Sequence, residues 1–163
     1  RMALADLAAE GRDFETAIRH LTVIREVFAA SGEAAEALLR LGSIYLQNRQ
    51  FDEADQAYHD LLGAKEWRGY WPAALYGRGQ IAQARREYAK AAAYFERIYV
   101  LYSANREFTP KAYLARAECL VRLFERQKAA ETLAEFLGTP DLAETPEAGK
   151  ARELLARLKG GAP

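Results

Sequence analysis

Residues 39–62 read LRLGSIYLQNRQFDEADQAYHDLL. Apolar residues recur at three- and four-residue spacing on both sides of the polar break Asn48-Arg49-Gln50, which predicts two helices joined by a turn. Gly42 falls inside the first helix, where glycine costs roughly 1 kcal/mol against alanine. Something in the packing must offset that cost. The pattern around Gly42 recurs: a small residue, an alanine twelve positions on, and a larger apolar residue four beyond that. The four sets are Ala5, Ala17, Leu21; Gly42, Ala54, Tyr58; Gly79, Ala91, Phe95; and Ala117, Ala129, Leu133. The alanines lie 37, 37 and 38 residues apart, about one helix pair. Small residues at a helix crossing let two backbones approach, so Gly42 is expected to face Ala54.

The rest of the chain agrees with a helical reading. Alanine is abundant, β-branched residues are few, and no clean two-residue alternation appears. Punctuation falls at residues 11–13, 31–32, 48–50, 63–72, 103–110 and 138–146. Thr109-Pro110 and Thr145-Pro146 each have the form of an N-cap followed by proline at the first helical position. Gly63 and Gly69 favour a loop between the second and third helix pairs.

The 163 residues carry 23 Lys and Arg against 23 Asp and Glu, a net charge of zero. That balance lacks the basic footprint of a nucleic-acid binder or a polybasic membrane-surface protein. No apolar run approaches the ~20 residues of a membrane-spanning helix; IYVLY (98–102) is typical of the longest. The single cysteine cannot form an internal disulfide. The chain starts at Arg1 directly in helical sequence, without a secretory leader, and is expected to be a piece of a longer protein.

These residues resemble the tetratricopeptide repeat, with its W-x2-L-G-x2-Y and A-x3-F signature. Leu38, Leu41, Gly42, Tyr45, Ala54 and Tyr58 match it best. The resemblance implies an all-α fold: a right-handed α-solenoid of about four helix-turn-helix repeats plus a C-terminal capping helix. It predicts one repeat domain over 1–163, with repeats near 1–31, 32–70, 71–107 and 108–138 and the capping helix near 146–159. Two departures stand out. The period exceeds the usual ~34 residues by about one helical turn, and Arg78 and Arg116 occupy an apolar position. They are expected either to lay their stems over the core or to mark splayed pairs. YFERIYVLYSAN followed by TPKAYLARAECL is similar to a bacterial branch of the family. That branch includes the repeat segments of cell-envelope proteins associated with the Tol–Pal system and of outer-membrane assembly lipoproteins, which implies a periplasmic scaffold.

Candidate chemistry is sparse, and the chain is read as a non-enzyme. Asp55 and His59 share a helix face, but a metal site needs three or four ligands, so no metal is expected. His20 has no carboxylate or cysteine four residues away. Cys119 occupies the position of Ile44 and Ile81 and reads as a small core residue. Ser31, Ser43 and Ser103 lack His and Asp partners, and Gly77-Arg78-Gly79 lies mid-helix, not in a phosphate loop. No catalytic residue and no cofactor are expected.

In a tetratricopeptide stack the first helix of each pair lines a concave groove. Its inward positions here include Leu39, Ser43, Leu46 and Gln47; Tyr76, Gln80 and Gln83; and Lys111, Leu114, Glu118, Val121 and Arg122. The lysine and asparagine clamp of chaperone-tail-binding members is absent. A mixed groove of this kind suits an apolar or helical segment of a partner protein. Trp67 and Tyr70, beside Arg68, have the composition of an interface, whereas Trp71 and Tyr76 are expected to fill the wedge between repeats. The function expected is therefore a protein- or peptide-binding scaffold that engages neither nucleic acid nor the bilayer. The alternative is self-association into a homo-oligomer through a terminal repeat, suggested by the alanine-rich opening RMALADLAAE.

Overall fold

Four times along the chain a helix ends in the same backbone turn. The computed structural model describes residues 1–29 and 31–161. Arg12, Arg49, Arg86 and Phe124 adopt φ values of 59°, 60°, 61° and 61°. In each case that residue donates its N–H three residues back and its successor donates five back, as in Asp13 to the Ala8 carbonyl and Gln50 to Tyr45. This is the Schellman arrangement, which satisfies the orphan carbonyls of a helix end. The positions repeat every 37, 37 and 38 residues, so the period of the sequence is also the period of the backbone. A non-glycine residue pays roughly 1–2 kcal/mol in this left-handed conformation.

Around those turns lie nine α-helices among the described residues: α1 Met2–Glu10, α2 Phe14–Val27, α3 Gly32–Gln47, α4 Phe51–Gly63, α5 Trp71–Ala84, α6 Tyr88–Leu101, α7 Phe108–Arg122, α8 Arg126–Gly138 and α9 Pro146–Lys159. There is no strand among them. The expected loop after α4 is instead a 3-10 helix, Lys65–Tyr70, interrupted by non-helical backbone at Trp67. Ser31 and Asp13 cap α3 and α2, accepting the N–H groups of Ala34 and Thr16.

The cap expected at Thr109 is corrected. Helix α7 begins earlier, at Phe108. Asn105 does the capping, accepting from Glu107 and Phe108, while Thr109 is buried and its hydroxyl donates to the Tyr102 carbonyl. At the other site Thr145 is the N-cap residue and Pro146 starts α9. The Thr145 hydroxyl donates to the Leu142 carbonyl and makes no capping bond of its own.

The chain divides into two compact units, Arg1–Ile81 and Ala82–Pro163. In the first, α1 packs on α2, α2 on α3, and α3 on α4, with the 3-10 helix against both α3 and α4. Its core holds Ala5, Ala17, Leu21, Leu38, Leu41, Ala54, Tyr58 and Leu61, all buried. Gly42 has a different neighbour from the one its spacing suggests. A Cβ built on Gly42 would meet the Tyr58 ring, and so would one built on Gly77 of α5. The ring is therefore held between two glycines, one on each flanking helix. Burying an aromatic side chain of this size contributes on the order of 4 kcal/mol, which outweighs the helix-propensity cost of the glycines.

In the second unit α7 packs closely on α6 and α8, and α9 packs on α8 and more lightly on α7. Ala91, Phe95, Ala117, Ala129 and Leu133 are fully buried. Tyr99 stacks on Tyr113 at 3.8 Å between ring centroids, and Tyr113 lies parallel to Phe136 at 5.4 Å. Arg78 and Arg116 are ion-paired. Arg78 forms a fork on Asp55 at 2.7 and 3.1 Å. Arg116 reaches Glu96 at 3.0 Å and the Thr132 hydroxyl at 2.5 Å. Each arginine thus ties the first helix of a pair to the second helix of the pair before it, within its own unit.

Candidate functional site

Within the second unit, α7 and α9 face each other across a cleft of about 630 Å³. On α7 the residues Leu114, Glu118, Val121 and Arg122 stand at intervals of four, three and one, a single stripe of a 3.6-residue helix. On α9 the facing stripe is Lys150, Glu153, Leu154 and Arg157. Gln83 and Tyr88 close one end. The two stripes place apolar Leu114, Val121 and Leu154 among charged neighbours, the usual make-up of a site that binds part of another molecule.

The cleft's polar groups are held in place. The Arg122 guanidinium lies over the Tyr88 ring, 5.4 Å from its centroid, and donates Nε and Nη2 to the Tyr88 hydroxyl at 3.3 and 3.1 Å. Gln83 donates its Nε2 to Cys119 Sγ at 3.4 Å. Burial pushes the Cys119 thiol up to about 11, only partly offset by that bond, so the thiol stays protonated and unreactive near neutral pH. Glu118 is open to solvent on one side, yet partial burial raises its carboxyl above the usual carboxylate range, against the downward pull of Lys150.

Of the residues predicted to line a groove, Gln83, Leu114, Glu118, Val121 and Arg122 surround this cleft. Lys111 is on the same helix but pairs with Glu107 at 3.4 Å and lies over the Phe108 ring. Leu39, Ser43, Leu46 and Gln47 stand on α3, and Tyr76 and Gln80 on α5, all in the first unit. There Ser43 accepts a bond from Gln47 at 3.4 Å, and Leu39 and Leu46 pack half-buried against the core. Trp67, Tyr70 and Trp71 are also half-buried against that core. Trp71 donates its indole N–H to the Leu61 carbonyl at 3.2 Å, with Arg68 over its ring.

Tyr88, Lys150, Glu153, Leu154 and Arg157 were not among the predicted groove residues. Most lie on helices other than the first of a pair. The readable signal for α9 was its own spacing, since 150, 153, 154 and 157 fall on one helical stripe. Among the described residues no group of three or more His, Cys, Asp and Glu could hold a metal ion. No described helix is long and apolar enough to cross a membrane.

The family model described as "Tetratricopeptide repeat" matches residues 36–63, the stretch that contains Gly42. The crystal structure of a tetratricopeptide repeat protein from Parabacteroides merdae is similar, with a TM-score of 0.72 and 16% identity. The match covers 96% of this chain and 57% of that one, so this chain spans little more than half that protein's length. No curated protein matches the chain in sequence. Residues 36–63 thus match the tetratricopeptide repeat model, and the fold of the chain is similar to that of a tetratricopeptide repeat protein. Such folds are generally non-catalytic and generally mediate protein–protein interaction.

Proposed function

We propose that this chain is a non-enzymatic interaction scaffold that holds a peptide or partner domain against the first helices of its repeats. The observation that carries the reading is the α7–α9 cleft, where a floor of buried Leu114 and Leu154 and half-buried Val121 lies beneath a charged rim. Helices fixed by packing lose little entropy on binding, so contacts made there translate into affinity with a small ordering cost. Selection of phage-displayed 16-residue peptides on the intact chain tests the reading. Binders whose affinity falls about tenfold or more on Val121→Asp, with an unchanged circular-dichroism spectrum, support it. A selection that returns no binder overturns it. The double variant Leu39→Ala, Tyr76→Ala asks whether the first unit contributes: unchanged affinity there restricts binding to the second unit.

Self-association is a second reading with its own observation. Leu4 and Leu7 on α1, and Val27 and Phe28 at the end of α2, are each at least half exposed, an apolar load that commonly marks a contact surface. Light scattering at tens of micromolar should then show a dimer that becomes monomeric with Leu4→Lys, Leu7→Lys. A wild-type monomer removes this reading. The periplasmic placement rests on the resemblance of residues 94–120 to cell-envelope repeat proteins, and protease protection in intact cells against release on outer-membrane permeabilisation would test it.

A further inference from the structure

The charges around the α7–α9 cleft say more about the occupant than its shape does. Arg122, Lys150 and Arg157 contribute three cations, and Glu118 and Glu153 two acids. Arg122 stands apart from the others because Tyr88 holds it from below, using Nε and Nη2 and leaving Nη1 directed elsewhere. A flexible arginine loses about 0.5–1.5 kcal/mol of side-chain freedom when a ligand immobilises it; here an intramolecular bond has already imposed much of that order. Lys150 and Arg157 face it from α9, two helical turns or ~10 Å apart along the axis. None of the three forms an ion pair among the described residues.

Continuing from the scaffold reading, we propose that the cleft takes a partner-protein segment whose binding face combines an acidic side chain with an apolar one. Arg122, with Lys150 and Arg157 opposite, receives the side-chain carboxylate, and Leu114, Val121 and Leu154 receive the apolar group. A guanidinium and a carboxylate form a short charge-assisted pair, and the apolar walls beside it exclude the water that would screen that pair. A polyanion such as RNA fits less well. Glu118, one turn before Arg122, and Glu153, between Lys150 and Arg157, repel a run of phosphates but leave room for a single carboxylate.

The test compares peptides selected from the 16-residue phage library on the intact chain. The expected result is enrichment of peptides that combine Asp or Glu with Leu, Ile or Phe. Synthetic amidated copies, which lack a free C-terminal carboxylate, should bind about tenfold more weakly to Arg122→Gln and more weakly again to Arg122→Glu, Arg157→Glu. Tyr88→Phe, which removes the hydroxyl that positions Arg122, should weaken binding several-fold, and acidic-to-amide changes in the peptide should erase that difference. Enrichment of neutral or basic peptides overturns the proposal while leaving the scaffold reading intact. So do acidic peptides indifferent to Arg122→Gln. A selection that returns no binder overturns both. A poly(U) probe that binds in an Arg122-dependent way and displaces the peptide reassigns the cleft to nucleic acid. If the double charge reversal does not fold, Arg122→Gln, which keeps a polar side chain of similar reach, carries the comparison alone.

Discussion

The two units solve the same packing problem with different side chains. In the first, the apolar residue four after the repeat alanine is Tyr58, whose ring lies against Gly42 and Gly77. In the second, the repeat-equivalent positions of those glycines are Ala117 and Ala115, both buried, and the corresponding large residues are Phe95 and Leu133. The second unit places its ring-on-ring contacts elsewhere, in the Tyr99, Tyr113 and Phe136 stack. The difference shows that the small position of this repeat is not a demand for glycine as such. It is a volume constraint, and its strictness is set by how far the facing side chain reaches. The Tyr58 ring needs the Cβ removed at both Gly42 and Gly77; where alanine stands instead, it is also the better helix former.

The largest expected effect tests that statement directly. Gly42→Leu should cost about 3 kcal/mol by overpacking against Tyr58, read from urea unfolding, and Tyr58→Leu in the same chain should recover a large part of it. Equal losses with and without Tyr58 would sever Gly42 from the ring. Next comes the reciprocal pair. Gly77→Ala should destabilise by about 1–2 kcal/mol although propensity alone favours it, whereas Ala115→Gly should also destabilise, by about 1 kcal/mol. A stabilising Gly77→Ala would mean that the ring is loosely held.

Alkali should reveal the same buried rings. Burial pushes the Tyr99 hydroxyl up to about 12 from 10, and it raises Tyr58 and Tyr113 in the same direction, with Glu135 adding to the shift at Tyr113. The folded state holds these protons more tightly than the unfolded state. Their contribution to stability is therefore complete below pH 10 and is lost as the pH rises from 10 through 12. Tyrosinate absorbance that rises together with the loss of helical ellipticity would agree; independent titration near pH 10 in folded protein would not.

Smaller effects separate the two arginines. Arg78→Met should cost about 1 kcal/mol, since it removes a two-point pair with Asp55. Arg116→Met should cost less, because its Nε is buried without an acceptor among the described residues, and that group loses nothing on removal. The smallest change should be a gain. Phe124 sits at φ 61° and is 90% exposed; Phe124→Gly relieves that conformation and should stabilise the second unit by about 0.5–1 kcal/mol. A loss there would point to packing that the exposure does not show.

Much of the repeat could be read from residues alone, and the particular failures are instructive. The alanine spacing marked the buried crossings, since volume and local period are properties of each short segment. It paired Gly42 with Ala54, however, because both occupy the small position of their helices. The ring that reaches Gly42 belongs to the next turn of α4. Gly77 was passed over for Gly79, although its proximity to the ring is what gives it a role. At residues 105–110 the Thr-Pro pair has the form of a cap, yet the helix starts before the proline and Asn105 supplies the acceptor. Five cleft residues could be marked on the first helices, but not Tyr88, Lys150 or Arg157, because nothing local connects α6 and α9 to α7.

What the amino-acid order determined by itself is the helical period, the turn positions and the places that must stay small, all of which follow from side-chain size and from spacing within about one helix pair. What only the tertiary structure decided is which ring enters which gap and which cations share a cleft. Those depend on angstrom-scale distances between side chains some 20–40 residues apart in sequence, which are set by how whole helices settle against one another.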